Sequence, residues 1–183
     1  YNAAVTDAGM EHLKGLTGLT FLDLGGTRVS DIGLDHFKAC AGLESLNVHY
    51  TKVSEDWFDN LKAFERLATL NLNGVATDSV LARLKDCKGL KALHLQNSRV
   101  TDAGLAHLAG LTELQELAVD TRSGITDAGL AHLTRMAGLR KLVVLGGGVT
   151  DAGLAHLPGL TQLRAGNLCA SQLSDAGLAQ LVE

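Results

Sequence analysis

Thr101-Asp102-Ala103-Gly104-Leu105-Ala106-His107-Leu108 recurs letter for letter from Thr126 to Leu133 and from Thr150 to Leu157. Ser174 to Leu181 repeats it with Ser for Thr and Gln for His. Looser copies open at Thr6-Asp7, Ser30-Asp31, Ser54-Glu55 and Thr77-Asp78, so eight starts follow one another every 23 to 25 residues. A period of that length marks a solenoid, in which each repeat is one supersecondary unit stacked on its neighbours. Residues that recur in register are therefore expected to be scaffold, and departures from the register are the candidates for function.

Within the unit, Thr101 is placed to cap a helix, its hydroxyl accepting from a free backbone N–H of the first turn. Asp102 lies in that turn, where the helix dipole favours negative charge. Leu105, Leu108 and Leu111 share one helix face and point inward, and Gly110 ends the helix, as do Gly18, Gly42, Gly89, Gly138 and Gly159 in or near the same place. Leu114-x-x-Leu117-x-Val119 follows. It returns as Leu19-Leu22-Leu24, Leu43-Leu46-Val48, Leu67-Leu70-Leu72, Leu90-Leu93-Leu95 and Leu139-Leu142-Val144. Its last two members alternate with the period of a strand buried on one face. Strand, turn and capped helix in succession predict a right-handed parallel coil. Seven strands at about 4.8 Å spacing make a sheet roughly 29 Å across.

The composition agrees with this layered core. Apolar residues make up 46% of the 183, but aromatic ones only 4%, so the interior must be Leu, Val and Ala. The net charge is −4 and the 16 basic residues are scattered, which argues against a nucleic-acid partner. No apolar run approaches the roughly 18 to 20 residues of a membrane span. The repeat runs from end to end, so residues 1–183 are expected to form one repeat domain of about seven units plus a partial terminal one. Neither end carries the polar cap that terminal repeats need, which predicts a piece of a larger protein.

These residues resemble leucine-rich repeat proteins over essentially the whole chain. More narrowly they are similar to the cysteine-containing type of F-box proteins and of large bacterial repeat proteins. That type places Cys three residues before the first strand Leu, as in Cys40-x-x-Leu43 and Cys87-x-x-Leu90, and then I/V-T-D-x-G-L-x-x-L. Leu16, Phe64, Leu111, Met136 and Leu160 take the Cys position elsewhere. The second Cys or Asn of the family pattern is replaced by Thr27, Thr51 and Ser98, whose hydroxyls can make only part of the usual hydrogen-bond ladder. The resemblance implies an α/β solenoid, an arc or horseshoe with parallel strands on the concave face and short helices on the convex face.

Residues with chemical potential mostly belong to the scaffold. The eight helix-start acids recur in every unit, which suits a helix-start role and not a catalytic carboxylate pair. His12, His36, His107, His132 and His156 share one helix position on the side away from the core leucines, with Asn60, Arg83 and Gln180 in the other units. That places them on a solvated convex face and not around a metal. Cys40 and Cys87 lie two repeats apart, about 10 Å, beyond the roughly 7 Å reach of a disulfide, and are expected to be core thiols. Cys169 stands alone at an outward strand position. An odd number of cysteines without a workable pair favours a reducing, cytoplasmic compartment. Ser45 and His94 are two strands apart, too far for a triad. His94 can approach Glu116 or Asp120, but no nucleophile stands beside it. The glycines of Leu145-Gly146-Gly147-Gly148 lack the Lys and Ser/Thr of a phosphate loop. No catalytic, cofactor or metal residue is therefore expected.

The outward strand positions vary at every step while the helices repeat nearly verbatim. They form the predicted concave surface, and its middle is polar: His49, Tyr50, Asn71, Asn73, His94, Gln96, Asn97, Glu116 and Asp120. Lys141, Val143 and Leu145 then combine apolar surface with a charge. Interfaces draw most of their energy from a few large anchors, so Tyr50 and Leu145 are the expected anchors, with His94 and Asp120 orienting the partner. On the helical side Trp57 stands where other units carry Gly33 and Gly104, and is expected to pack against the preceding repeat. The shortened repeat after Gly74-Val75 and the insertion Ser123-Gly124 should bulge the turn edge. The function expected is non-catalytic recognition of another protein. Resemblance also implies a variant, the substrate receptor of a ubiquitin ligase or a bacterial effector mimicking one. A docking domain of an enzyme whose catalytic part lies elsewhere, and an architectural spacer, fit the same pattern.

Overall fold

The computed structural model describes residues 4–120, 124–145, 148–169 and 172–179. Seven strands form one parallel sheet in strict chain order: β1 (Phe21–Asp23), β2 (Ser45–Asn47), β3 (Thr69–Asn71), β4 (Ala92–Leu95), β5 (Glu116–Asp120), β6 (Lys141–Leu145) and β7 (Ala165–Cys169). Between them run the short helices α1 (Asp7–Glu11), α2 (Asp31–Asp35), α3 (Asp78–Arg83), α4 (Asp102–Ala106), α5 (Asp127–Ala131), α6 (Asp151–Leu154) and, after β7, α7 (Asp175–Ala179). The third repeat has a 3₁₀ helix, Glu55–Ala63, in place of an α-helix. The register sets like on like: Leu22, Leu46, Leu70, Leu93, Leu117 and Leu142 stack as one column. The sheet with its helices is that of a leucine-rich-repeat solenoid.

The core is the sum of such columns. Leu93, Leu117 and Leu142 have no exposed surface, nor do Leu105, Leu130 and Leu154 in the helix row. Full burial of a Leu is worth about 1.5–3 kcal/mol, so stacking, and not helix propensity, holds five-residue helices in place. Each is too short to persist alone. Cys40 belongs to this core and donates to the Leu16 carbonyl of the preceding repeat at 3.4 Å. Cys87 departs from expectation. It is partly exposed, beside Asp86 and Lys88, and burial pushes its thiol up, a direction Asp86 reinforces. All three cysteines are free thiols.

Consecutive repeats are also joined by a polar seam that a single repeat, taken alone, does not reveal. Asp78 Oδ1 accepts from Thr101 N at 2.8 Å, and its Oδ2 accepts from Thr101 Oγ1 at 2.6 Å. The same pair of bonds joins Asp7 to Ser30, Asp31 to Ser54, Asp102 to Thr126, Asp127 to Thr150 and Asp151 to Ser174. Glu55, one carbon longer, accepts from the Thr77 hydroxyl but not from the Thr77 N–H. The expected cap bond at Thr101 is absent, and its hydroxyl donates to Asp78 instead. Ser30, Thr77, Thr126 and Thr150 still accept from their first turns, at a long 3.2–3.4 Å. The recurring spacing to Gly104 has the same cause. A Cβ there would lie 3.0 Å from Asp78 Cγ and 3.1 Å from Val100 Cγ1. Trp57, in the equivalent place, is 3% exposed. Its indole donates to Asp35 of the preceding repeat at 3.0 Å and stacks on Phe64.

Candidate functional site on the concave face

Past each strand the chain turns through one position that takes a left-handed backbone in four of the repeats: Gly26 (φ 69), Tyr50 (φ 50), Gly74 (φ 77) and Asn97 (φ 52). Glycine accepts this conformation freely and Asn tolerates it, but for a bulky aromatic it is strained. Tyr50 is nonetheless held there, its N–H bonded to the Asn73 carbonyl at 3.0 Å. Its ring lies over Gly74, in the space a Cβ would fill, and half of the residue stays exposed. His49 lies the other way, over Gly25 of the preceding repeat, with the same exclusion of a Cβ. The two rings meet edge to face at 5.7 Å, and His49 Nδ1 is 2.8 Å from Asn47 Oδ1. Two glycines on flanking repeats thus make room for one aromatic pair.

The next part of the face satisfies much of its own polarity. Asn71 Oδ1 accepts from Asn73 N at 3.0 Å, and Asn73 Oδ1 accepts from Gln96 N at 2.7 Å. Asn71 and Asn73 therefore spend part of their capacity holding strand ends. Thr27 and Thr51 similarly donate to the Leu24 and Val48 carbonyls, and Ser98 to those of Leu72 and Gln96.

Three titratable groups then lie across three strands. Lys141 Nζ is 2.6 Å from Glu116 Oε1, and His94 Nε2 is 3.9 Å from the same oxygen. Burial holds the His94 imidazole below its ordinary pKa. Glu116 opposes that shift and Lys141 adds to it. His94 meets Glu116 as the register predicts, and its strand partners are Asn71 and Ala118, neither a nucleophile.

Asp120 is a correction. Expected to face a partner, it is 3% exposed and already has a polar partner. It pairs in register with Leu145, and Ala118 of the same strand, paired with Val143, is also 3% exposed. Val143 and Leu145 are half-buried, and Lys141 is exposed. Phe21, an outward strand position by alternation but not among the expected contacts, stands at the start of β1 with 61% of its surface exposed. Gly166 is a second such residue, pairing with Leu142 where every preceding strand carries Leu. A cleft of about 650 Å³ opens there, walled by Leu157, Leu160, Leu163 and Leu168. The break in the L-x-x-L-x-L pattern was the available signal.

On the convex side His12, His107 and His132 are exposed and His36 and His156 half-buried. Among the described residues no group of three or more His, Cys, Asp or Glu could hold a metal ion, and no helix is long and apolar enough to cross a membrane. Gln180, Ser123, Gly146 and Gly147 lie outside the described residues.

No protein-family model and no curated protein matches the chain. Among solved structures, one that matches is the crystal structure of an internalin (inlF) from Listeria monocytogenes, with a TM-score of 0.67 at 21% identity. The alignment covers 99% of this chain and 56% of that one, so the chain spans about half the length of that neighbour. At this identity the likeness concerns the fold, and the fold is the leucine-rich-repeat solenoid.

Proposed function

We propose that the chain is a non-catalytic protein-recognition module, and that its partner sits on the concave sheet face. The observation that carries this reading is Tyr50. An exposed aromatic ring in a strained left-handed backbone, with Gly74 cleared beneath it, is retained at a cost of order 1–3 kcal/mol. Rigid, half-exposed aromatics are the residues from which interfaces draw their energy. Tyr50 and Leu145 are the anchors. His49, Asn71, Asn73, Gln96, His94 and Glu116 supply the polar surround, and Lys141 and Val143 flank Leu145. Asp120 is not part of the surface.

The finer reading, a substrate receptor of a ubiquitin ligase or an effector mimicking one, is supported by the placement of Cys40 and Cys87 alone. The test is recovery of a partner by the native chain and by Tyr50→Ala/Leu145→Ala, with matched thermal stability as the control. A partner held by the native chain should be lost by the variant. Equal recovery by both removes the concave-face assignment.

A further inference from the structure

One column along the strand starts carries charge without an ion-pair partner among the described residues. Backbone bonds link Gln115 N to Lys91 O at 2.8 Å, Arg140 N to Gln115 O at 2.8 Å and Arg164 N to Arg140 O at 2.9 Å, so these four residues stack on successive repeats. Lys91, Arg140 and Arg164 are exposed, and none makes an ion pair among the described residues. Arg140 and Arg164 occupy adjacent steps, about 4.8 Å apart, where like charges repel. Lys141 adds a fourth cation beside Arg140, paired to Glu116. The same column runs through Thr20, Glu44 and Ala68 before Lys91, so the cations gather at the β4–β7 end of a chain whose net charge is −4.

We propose that the strand-start rim of the concave face, at its β4–β7 end, receives an acidic segment of a partner protein. Carboxylates pair with Arg140, Arg164 and Lys91, and an apolar side chain of the same segment rests on Val143 and Leu145. This rests on the concave-face reading above and names the chemistry of the partner. Arginine's planar fork matches a carboxylate through two parallel bonds. Glu116, paired to Lys141, stands beside this column, which suits discrete carboxylates better than a continuous phosphate backbone. Single-stranded nucleic acid is therefore the competing outcome of the test.

The experiment titrates the isotope-labelled chain with a short peptide rich in Glu and Leu, with its Gln counterpart, and with single-stranded DNA of matched charge. The Glu peptide should shift the amides of Arg140, Lys141, Val143 and Arg164, and its affinity should fall as salt rises. Arg140→Glu/Arg164→Glu should weaken it by about tenfold or more, corresponding to about 1.4 kcal/mol, with an unchanged melting temperature. Shifts centred on Tyr50 and His49 instead would overturn the acidic-segment proposal while leaving the concave face intact. Shifts on the helices would overturn both. Equal binding of the Glu and Gln peptides, stronger binding of DNA, or no binding at all would each defeat the proposal, and Tyr50→Ala/Leu145→Ala would still test the parent reading.

Discussion

Gly104→Ala should reverse its sign of effect when Asp78 is removed. In an isolated helix the substitution stabilises by about 1 kcal/mol, because Ala restricts the unfolded chain and favours the helix. Here the new Cβ would sit 3.0 Å from Asp78 Cγ, against a carboxylate tied to Thr101 by bonds of 2.8 and 2.6 Å. Withdrawal of Asp78 works against those bonds. Trp57, which bears a Cβ at this place beside the doubly bonded Asp31, sits on a 3₁₀ and not an α-helix. Hydrogen bonds to a charged group contribute about 1.5–3 kcal/mol each, so the partly buried pair is worth about 3 kcal/mol at the lower end. Gly104→Ala should then cost a net of about 2 kcal/mol, and Asp78→Ala about 3 kcal/mol. In the Asp78→Ala background, Gly104→Ala should stabilise by about 1 kcal/mol, a coupling of about 3 kcal/mol. Urea unfolding followed by Trp57 fluorescence and by circular dichroism measures all four corners, with constant m values as the check on two-state behaviour. Equal losses from Gly104→Ala in both backgrounds would refute the claim that the glycine exists to admit the carboxylate of the preceding repeat.

Acid should loosen the seam in a defined direction. At Asp7 burial acts upward, but bonds from the Ser30 N–H and hydroxyl and from Gly33 N–H outweigh it and hold the carboxyl low. Bonds from the Thr77 and Ser79 hydroxyls hold Glu55 low, and the Ser174 hydroxyl and N–H do the same for Asp151. Folded values below the unfolded ones mean that this stability is fully present above about pH 4–5 and is lost as pH falls through the folded values. The depressed His94 should already lower the urea midpoint slightly as pH falls below about 6.5. The seam should add a steeper drop below about pH 4–5, and a midpoint that rises there would contradict the seam. An NMR titration should place His94 below ordinary histidines, and Glu116→Gln should lower it further, since Glu116 opposes the shift; a rise would show that Glu116 does not face the ring. Gly166→Leu should fill the cleft and raise stability by about 1 kcal/mol, a fraction of the full burial of a Leu. Calorimetry would detect a fall in melting temperature if the space is not available.

The repeat, the parallel order of the strands, the buried columns and the concave positions were all legible in the sequence. They depend on spacing, and spacing is a property of one chain read in order. Trp57 packing on the preceding repeat and His94 near Glu116 were legible too, because a known register fixes which residues become neighbours. Asp120 was not. Its burial and its polar bonding come from the packing around it, which alternation along one strand cannot report. The strain at Tyr50 was hidden for a related reason, since φ follows from where the turn must go and not from the residue occupying it.

The helix-start acids divide the two sources most clearly. Sequence alone set their period and placed them in the first turn, and from one repeat that is a dipole and capping role. Tertiary structure decided that their carboxylates point out of their own helices to residues 22 to 24 positions onward. Such a bond exists only once two coils have stacked. The following glycine, read locally as a weak helix former, is then the space into which the neighbouring carboxylate fits.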